Sequence, residues 1–298
     1  YNRVMKNTHI EHPEDTILTG DLSVLDAFVT KSKLSVKIDG APAIVWGTDP
    51  SNNQFFVGTK SVFNKFKIKI NHNHTDIDRN HQGKVADILH KCLDYLPFTT
   101  SIYQGDFIGF GGTDSFNPNT IRYSFPTEIS EEIIIAPHTV YDTPRGTLKD
   151  AVASSLDDEL ESVEGEVLFV KPEAQYDITD NIKQKCAFAK QIAQLVEFVD
   201  DKTATRLKRA MNKRIREGVK IESDRGKGNL LSFWKLVRSI KLDLLAECYS
   251  DAQYECYIEN EIVPDEGYVM WSDIGTYKLV DRDQFSRANF NLSKFAKG

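Results

Sequence analysis

Hydrophobic and polar positions change their period along the chain. Up to about residue 145, short apolar runs separated by turn residues read as strands: "LSVKI", "AIVWG", "QFFVGTKSVF", "SIYQGDFIGF" and "EEIIIAPHTVY". One helical pattern interrupts them, "GKVADILHKCLDYL", which sets Val85, Ile88, Leu89, Cys92 and Leu96 on a single face. Beyond these, "GTLKDAVASSLDDEL" predicts a helix and "EGEVLFVKP" a strand. From about 183 to 250 the period becomes helical in "KCAFAKQIAQLVEFVDD", "TATRLKRAMNKRIREG" and "NLLSFWKLVRSIKLDLLAECYS", punctuated by Gly218 and "DRGKGN". Strand-like sequence then returns in "YECYIENEIV", "EGYVMW" and "TYKLVDR". The pattern predicts an α+β fold. Because β segments enclose the helical block 183–250 on both sides, that block reads as an insertion within one domain spanning 1–298.

With 298 residues, 40% of them apolar, the chain can bury a sizeable core, and disorder is excluded. The absence of any run of eighteen apolar residues and the polar start "YNRVMKNTHIEHPED" predict neither a membrane span nor a signal peptide. The expectation is a cytoplasmic protein without a membrane partner. Cys92, Cys186, Cys248 and Cys256 form no CxxC pair, so they read as reduced thiols rather than a zinc site or disulfide framework. A net charge of -7 weighs against a polyanionic partner, but the charge is segregated. Between Lys202 and Gly228 stand ten basic residues (Lys202, Arg206, Lys208, Arg209, Lys213, Arg214, Arg216, Lys220, Arg225, Lys227) and three acidic ones (Glu217, Glu222, Asp224). That excess suits a nucleic-acid footprint, with Lys208, Arg209, Lys213, Arg214 and Arg216 as its candidate contacts.

The chemistry concentrates at "LSVKIDGAPAIVWG", residues 34–47. Lys37 ends a strand beside Asp39 and Gly40; an amine held there is a candidate nucleophile, with Gly40 leaving room for a phosphate. The competing reading is a plain hairpin, since Asp-Gly between apolar runs favours one. Elsewhere, "NHNHTDIDRNH" gathers His72, His74, His81, Asp76 and Asp78 but reads as a polar loop, because no second ligand pair completes a metal spacing. "GFGGTD" lacks the Lys-Ser/Thr of a P-loop and reads as a flexible loop near the site, and His9 and His12 read as surface groups.

The Lys-x-Asp-Gly string resembles motif I of the covalent nucleotidyltransferases, the superfamily of ATP-dependent DNA and RNA ligases and mRNA capping enzymes. Later segments resemble its further motifs in order. Lys60 in "FFVGTKSVFNK" stands where the family has a basic residue near the sugar and phosphate. "YQGDFIGF" resembles motif III, with Asp106 in place of the usual Glu, and "IIIAPHTVYD" resembles the base-stacking motif, where Tyr141 or His138 supplies the ring. Two pairs compete for motifs IV and V: Glu164 with Lys183 and Lys185, and Glu266 with Lys278. The second is preferred because it encloses the helical block, although Val280 stands where a second lysine is expected and Arg282 or Lys183 would have to substitute. Phage-type RNA ligases are the branch most similar.

The resemblance implies an ATP-grasp-like nucleotidyltransferase fold of antiparallel sheets flanked by helices, without a C-terminal OB-fold. It implies a ligase that forms lysyl-AMP at Lys37 from ATP with Mg²⁺ or Mn²⁺, and transfers AMP to 5′-phosphorylated RNA or DNA ends, in a host cytoplasm if phage-encoded. Glu266 and Lys278 would be catalytic, with Glu266 at the metal, and Asp39, Gly40, Lys60, Asp106, His138 and Tyr141 would bind the nucleotide. Transfer to a protein or small molecule, or a catalytically inactive binding relative, are the alternatives.

Overall fold

The computed structural model describes residues 5–6, 10–221 and 228–285. It is α+β, and nearly every strand and helix expected from periodicity is present. The largest sheet runs in the order Met5–Lys6, Val152–Ser155, Ile133–Asp142, Ile102–Phe110, Ala43–Thr48, Phe55–Gly58. Its pairings are antiparallel except one, in which Val167–Phe169 lies parallel to Ile133–Ile135. A three-stranded sheet sets Gly267–Trp271 between Lys33–Lys37 and Thr276–Val280. A four-stranded sheet contains Glu261–Val263, Glu255–Ile258, Arg122–Ile129 and Thr113–Phe116.

Lys33–Lys37 and Ala43–Thr48 do not form a hairpin. The first pairs with Gly267–Trp271, the second with Ile102–Phe110 and Phe55–Gly58. The Asp-Gly segment therefore crosses from one sheet to another.

Side-chain alternation makes the three-stranded sheet two-faced. Leu34, Met270, Tyr277 and Leu279 point into a core shared with the helices Ser23–Phe28, Asp180–Ala193, Asp201–Glu217 and Gly228–Ala246. The alternate positions, among them Lys37, Val269 and Lys278, line a cavity instead. On the large sheet, Ile44, Trp46, Phe107, Ile133 and Ile135 pack under the helix Gly83–Tyr95 through Ile88, Leu89 and Cys92. The helical block is thus the backing of the small sheet, and its strand Tyr249–Ser250 pairs with Ala174–Gln175.

Three readings change. "GTLKDAVASSLDDEL" is not a helix: Leu148–Asp150 makes one tight turn and Val152–Ser155 is a strand whose backbone groups are satisfied by Thr139–Asp142. "NHNHTDIDRNH" is not a loop, because Asn73 caps a short helix, His74–Asn80, by accepting from the Asp76 N–H at 2.8 Å. His74 and His90 meet there at 2.7 Å, and His72 meets Asp49 at 2.9 Å. "GFGGTD" spans the end of the strand Ile102–Phe110, a bend at Gly111 and Gly112, and the start of Thr113–Phe116; Gly111 lies tight against Glu131, where a Cβ would stand 1.8 Å from the carbonyl oxygen. All four cysteines are free, and Cys92, Cys186 and Cys256 are buried.

A buried charge network closes the back of the molecule. Lys241 donates to Glu14 at 2.6 Å with neither side chain exposed, and Arg282 donates to Asp15 at 2.9 Å and to Glu14 at 3.3 Å. Trp234 adds an indole N–H to Asp15 at 3.0 Å. These contacts tie the turn Pro13–Asp15 to the longest helix and to the residues following Val280. His12 is not a surface group. Burial, then the nearby cations led by Arg282, hold its imidazole far below its ordinary range, while His9 lies outside the described residues.

Removing one partner of a buried pair strands the other charge, at a cost of about 3–5 kcal/mol. Lys241→Met is therefore expected to lower the urea midpoint markedly, whereas Lys33→Met, which breaks the exposed pair with Asp157, leaves it nearly unchanged.

Candidate functional site

Between the inner face of the large sheet and the outward face of the small one lies a cavity of about 420 Å³. The small sheet contributes Ser35, Lys37, Val269, Trp271, Thr276 and Lys278, and the large sheet Gln104, Asp106, His138, Thr139, Tyr141 and Ala153. Asp39, Gly40, Lys60, Asn119 and Glu266 complete the rim and floor. A second cavity of about 410 Å³ adjoins it across Ser35, His138 and Trp271.

Lys37 is paired in register with Gly267, so Glu266 arrives one position short of the strand, beside the amine. Lys37 Nζ donates to Glu266 Oε2 at 2.5 Å. On its other side Gly267 lies tight against Thr276–Val280: its φ is +151°, and a Cβ there would stand 2.2 Å from the Leu279 carbonyl oxygen. Burial raises Glu266 above the ordinary carboxylate range, against the opposing charge of Lys37. Burial likewise lowers Lys278, helped by the Lys37 charge and opposed by Glu266.

The crossing segment is tied down at several points. Asp39 Oδ2 accepts from the backbone N–H groups of Thr120 at 2.8 Å and Ile121 at 3.0 Å, Asn119 donates to Oδ1 at 3.0 Å, and the Asp39 N–H meets the Tyr123 hydroxyl at 2.6 Å. Gly40 lies against the large sheet, where a Cβ would stand 2.6 Å from Asp106 Cβ. The space left by Gly40 is therefore filled by the Asp106 strand. It is not a gap for phosphate.

The bulge on Ile133–Asp142 is the local device that turns His138 toward the cavity. Gln104 opposes Thr139 and Gly105 opposes Pro137, so His138 has no opposite residue. Its Nε2 lies 3.6 Å from Asp106 Oδ2, an ion-pair distance too long for a hydrogen bond, and its Nδ1 meets Thr139 Oγ1 at 2.6 Å. Tyr141 is 5% exposed, its hydroxyl donates to Gln104 at 2.5 Å and Phe63 lies 4.4 Å from its ring. Of the two stacking candidates, His138 keeps more of its side chain in the open. Trp271 is a third aromatic on the wall, fixed by its indole N–H to Ser35 Oγ at 3.0 Å. Its signal in the sequence was the alternation Val269, Trp271 on the face that carries Lys37.

The competing pair for motifs IV and V is elsewhere. Glu164 sits on an exposed turn, Lys183 faces outward beside Asp180, and Lys185 pairs with Asp243. None of them lines the cavity, nor does any residue of 109–114. Neither proposed substitute for the missing lysine reaches it: Arg282 is committed to Glu14 and Asp15, and Lys183 lies on a helix surface.

The basic helix Asp201–Glu217 is capped by Asp200, which accepts from Thr203 N–H at 2.7 Å, and ends at Gly218 with φ +68°. Ala204, Met211 and Ile215 are buried. On the opposite side Lys202, Arg206, Arg209, Lys213 and Arg216 are all exposed, at alternating spacings of four and three that keep them in one stripe about 21 Å long. None of the five has an ion-pair partner among the described residues. Lys208 and Arg214 are half-buried at its flanks, and Lys208 reaches Glu11 at 3.3 Å. The Glu11 carbonyl in turn accepts from the Lys278 N–H at 3.0 Å. Glu222, Asp224, Arg225 and Lys227 lie outside the described residues.

A lowered amine pKa exposes a neutral nucleophile at lower pH. In competitive acylation followed by mass spectrometry, Lys278 is expected to react with a midpoint below the 10.5 of an ordinary lysine. Glu266→Gln, by removing the charge that raises it, should move that midpoint further down.

Among the described residues no helix is long and apolar enough to cross a membrane, and no group of three or more His, Cys, Asp or Glu side chains converges as a metal site. No curated protein and no solved structure matches the chain. A protein-family profile described as "Family of unknown function (DUF6267)" matches residues 7–227 and 224–294, nearly the whole sequence, and the chain belongs to that family.

Proposed function

We propose that this protein is an ATP-dependent polynucleotide ligase, acting on RNA, that works through AMP carried on Lys37. One observation carries the reading. Lys37, Lys60, Asp106, His138, Glu266 and Lys278, drawn from both ends of the sequence, line one cavity of about 420 Å³, a volume suited to a nucleotide. Under this reading the two facing sheets form a nucleotidyltransferase fold, with residues 1–298 as one domain and 183–250 as a helical insertion backing the lysine strand.

In the first step the Lys37 Nζ lone pair forms a bond to the α-phosphorus, the bond from that phosphorus to the pyrophosphate oxygen breaks, and pyrophosphate leaves. The amine must give up its proton, and Glu266 Oε2 at 2.5 Å is placed to take it; a carboxylate whose proton affinity burial has raised suits that task. Lys278 and Lys60 place positive charge where the phosphate oxygens gain negative charge. His138 and Trp271 offer ring faces to the base, and Asp106 offers a carboxylate to the ribose. AMP then passes from Nζ to a 5′-phosphate, and a 3′-hydroxyl displaces it.

The carboxylates of Glu266 and Asp106 are hard oxygen donors on the cavity wall, a set that fits Mg²⁺ or Mn²⁺ shared with phosphate oxygens, with Glu266 as the principal holder. When bound, the cation neutralises charge on the triphosphate. The exposed stripe Lys202, Arg206, Arg209, Lys213 and Arg216 supplies the cationic track that a polynucleotide requires.

Incubation with α-labelled ATP and Mg²⁺, followed by denaturation, is expected to leave label on the protein and none on Lys37→Ala. Glu266→Ala should reduce the labelling rate roughly a hundredfold or more, as loss of a positioned base does, whereas Glu164→Ala should label as the parent does. Absence of label with ATP, or equal sensitivity to the two glutamate changes, would overturn the reading. A chase with 5′-phosphorylated RNA should release the label as an adenylated end.

A further inference from the structure

Past the short turn Lys60–Phe63, the chain "NKFKIKI" leaves the body of the protein. Residues 64–69 are all exposed, with Phe66 84% and Ile68 51% accessible. Lys65, Lys67 and Lys69 alternate with these apolar side chains, no acidic residue occurs from 60 to 70, and neither these three lysines nor Lys60 has an ion-pair partner among the described residues. A bare phenylalanine at this exposure loses most of the hydrophobic benefit it would gain inside a core. Lysines beside it also keep it from attracting a second apolar surface.

The loop is held in shape. Lys67 adopts φ +53°, a left-handed conformation that costs a non-glycine residue about 1 kcal/mol and directs the chain at the tip of the loop. Its base is closed by the Lys69 N–H donating to the Ser61 carbonyl at 3.4 Å, on the same turn that carries Lys60 to the cavity. Behind it Asn71, fully buried, donates to the Val57 carbonyl at 2.9 Å and accepts from Asn80 at 2.9 Å. The loop therefore projects from a fixed base on the lip of the nucleotide cavity.

Cations interleaved with an open aromatic face match single-stranded nucleic acid, whose bases stack and whose phosphates take the charge. We propose that residues 64–69 are a docking platform for the single-stranded polynucleotide acceptor, Phe66 stacking on an unpaired base and Lys65, Lys67 and Lys69 contacting its phosphates. This rests on the reading of the Lys37 cavity as a nucleotide-transfer site, since the platform would deliver the strand's end to it.

The test uses the full chain and a 5′-phosphorylated single-stranded RNA of mixed sequence with a 3′ fluorophore, read by anisotropy. Phe66→Ala is expected to weaken binding at least about fivefold, and to have no effect on an abasic oligonucleotide of equal length. Replacing Lys65, Lys67 and Lys69 together with Ala should reduce the slope of log affinity against log salt by about 2. Because these side chains are exposed, thermal melts should be unchanged. If the parent binds no oligonucleotide, or if both variants bind as the parent does, the platform is overturned. Equal competition by polyglutamate with no effect of Phe66→Ala would identify an acidic protein partner and equally overturn it. Labelling with α-labelled ATP in the same variants separates the two readings. Label on Lys37 with loop-independent binding refutes the platform alone, and loop-dependent binding without any label refutes the ligase reading alone.

Discussion

The arrangement depends on one strand pairing, Lys33–Lys37 against Gly267–Trp271, which joins the two ends of the chain. Without it, Lys37 would be one exposed amine among many and Glu266 one acid beside a turn. With it, the amine and the carboxylate meet at 2.5 Å. The pairing sets Gly267 between two strands, and on its far side no side chain is tolerated at 267, because the Leu279 carbonyl of Thr276–Val280 occupies that space. It also leaves Lys33–Lys37 as the sheet's edge, so that the outward face opens to the cavity while Leu34 stays in the helical core.

The helical block follows from the same constraint. A three-stranded sheet with one polar, cavity-lining face cannot bury enough apolar area by itself, so its other face needs a large partner. The helix Gly228–Ala246 supplies Trp234, Val237, Ile240 and Leu244 to that core, and the buried Lys241, Glu14, Asp15 and Arg282 fix how the N-terminal turn crosses it. The same turn leads directly from Glu11, whose carbonyl holds the Lys278 N–H. Charges that contribute little net stability can thus specify the position of a strand that carries a cavity lysine.

Periodicity made most elements legible, because burial on one face imposes period two or 3.6 on whichever segment it acts. It failed at "GTLKDAVASSLDDEL", where alanines and leucines satisfied a helical pattern but the edge of the long strand Ile133–Asp142 offered backbone partners that a helix there would have left unpaired. The chain order of Lys37, Lys60, Asp106, Tyr141 or His138, Glu266 and Lys278 was legible; their convergence on one cavity was not, since sheet order is a long-range property. The Asp-Gly signal favoured a hairpin, yet Asp39 instead accepts backbone N–H groups at 120 and 121, a partnership invisible locally. The bulge at His138 did leave a mark, in the Pro137 that cannot donate to a ladder.

The cavity's own electrostatics supply the last step. Lys37, Lys60 and Lys278 face it with Glu266 and Asp106, while the charge of Asp39 is already engaged with backbone donors. Burial works against Lys278 and Glu266 in opposite senses, lowering the lysine and raising the carboxyl. An anion entering beside Lys278 would favour its ammonium form and offset the repulsion from Lys37. A polyphosphate would therefore raise the pKa of Lys278, while Glu266 Oε2 lies 2.5 Å from the amine of Lys37. The same loss of solvent thus shifts Lys278 and Glu266 in opposite directions, and Lys37, brought from the other end of the chain, meets Glu266 in the cavity they share.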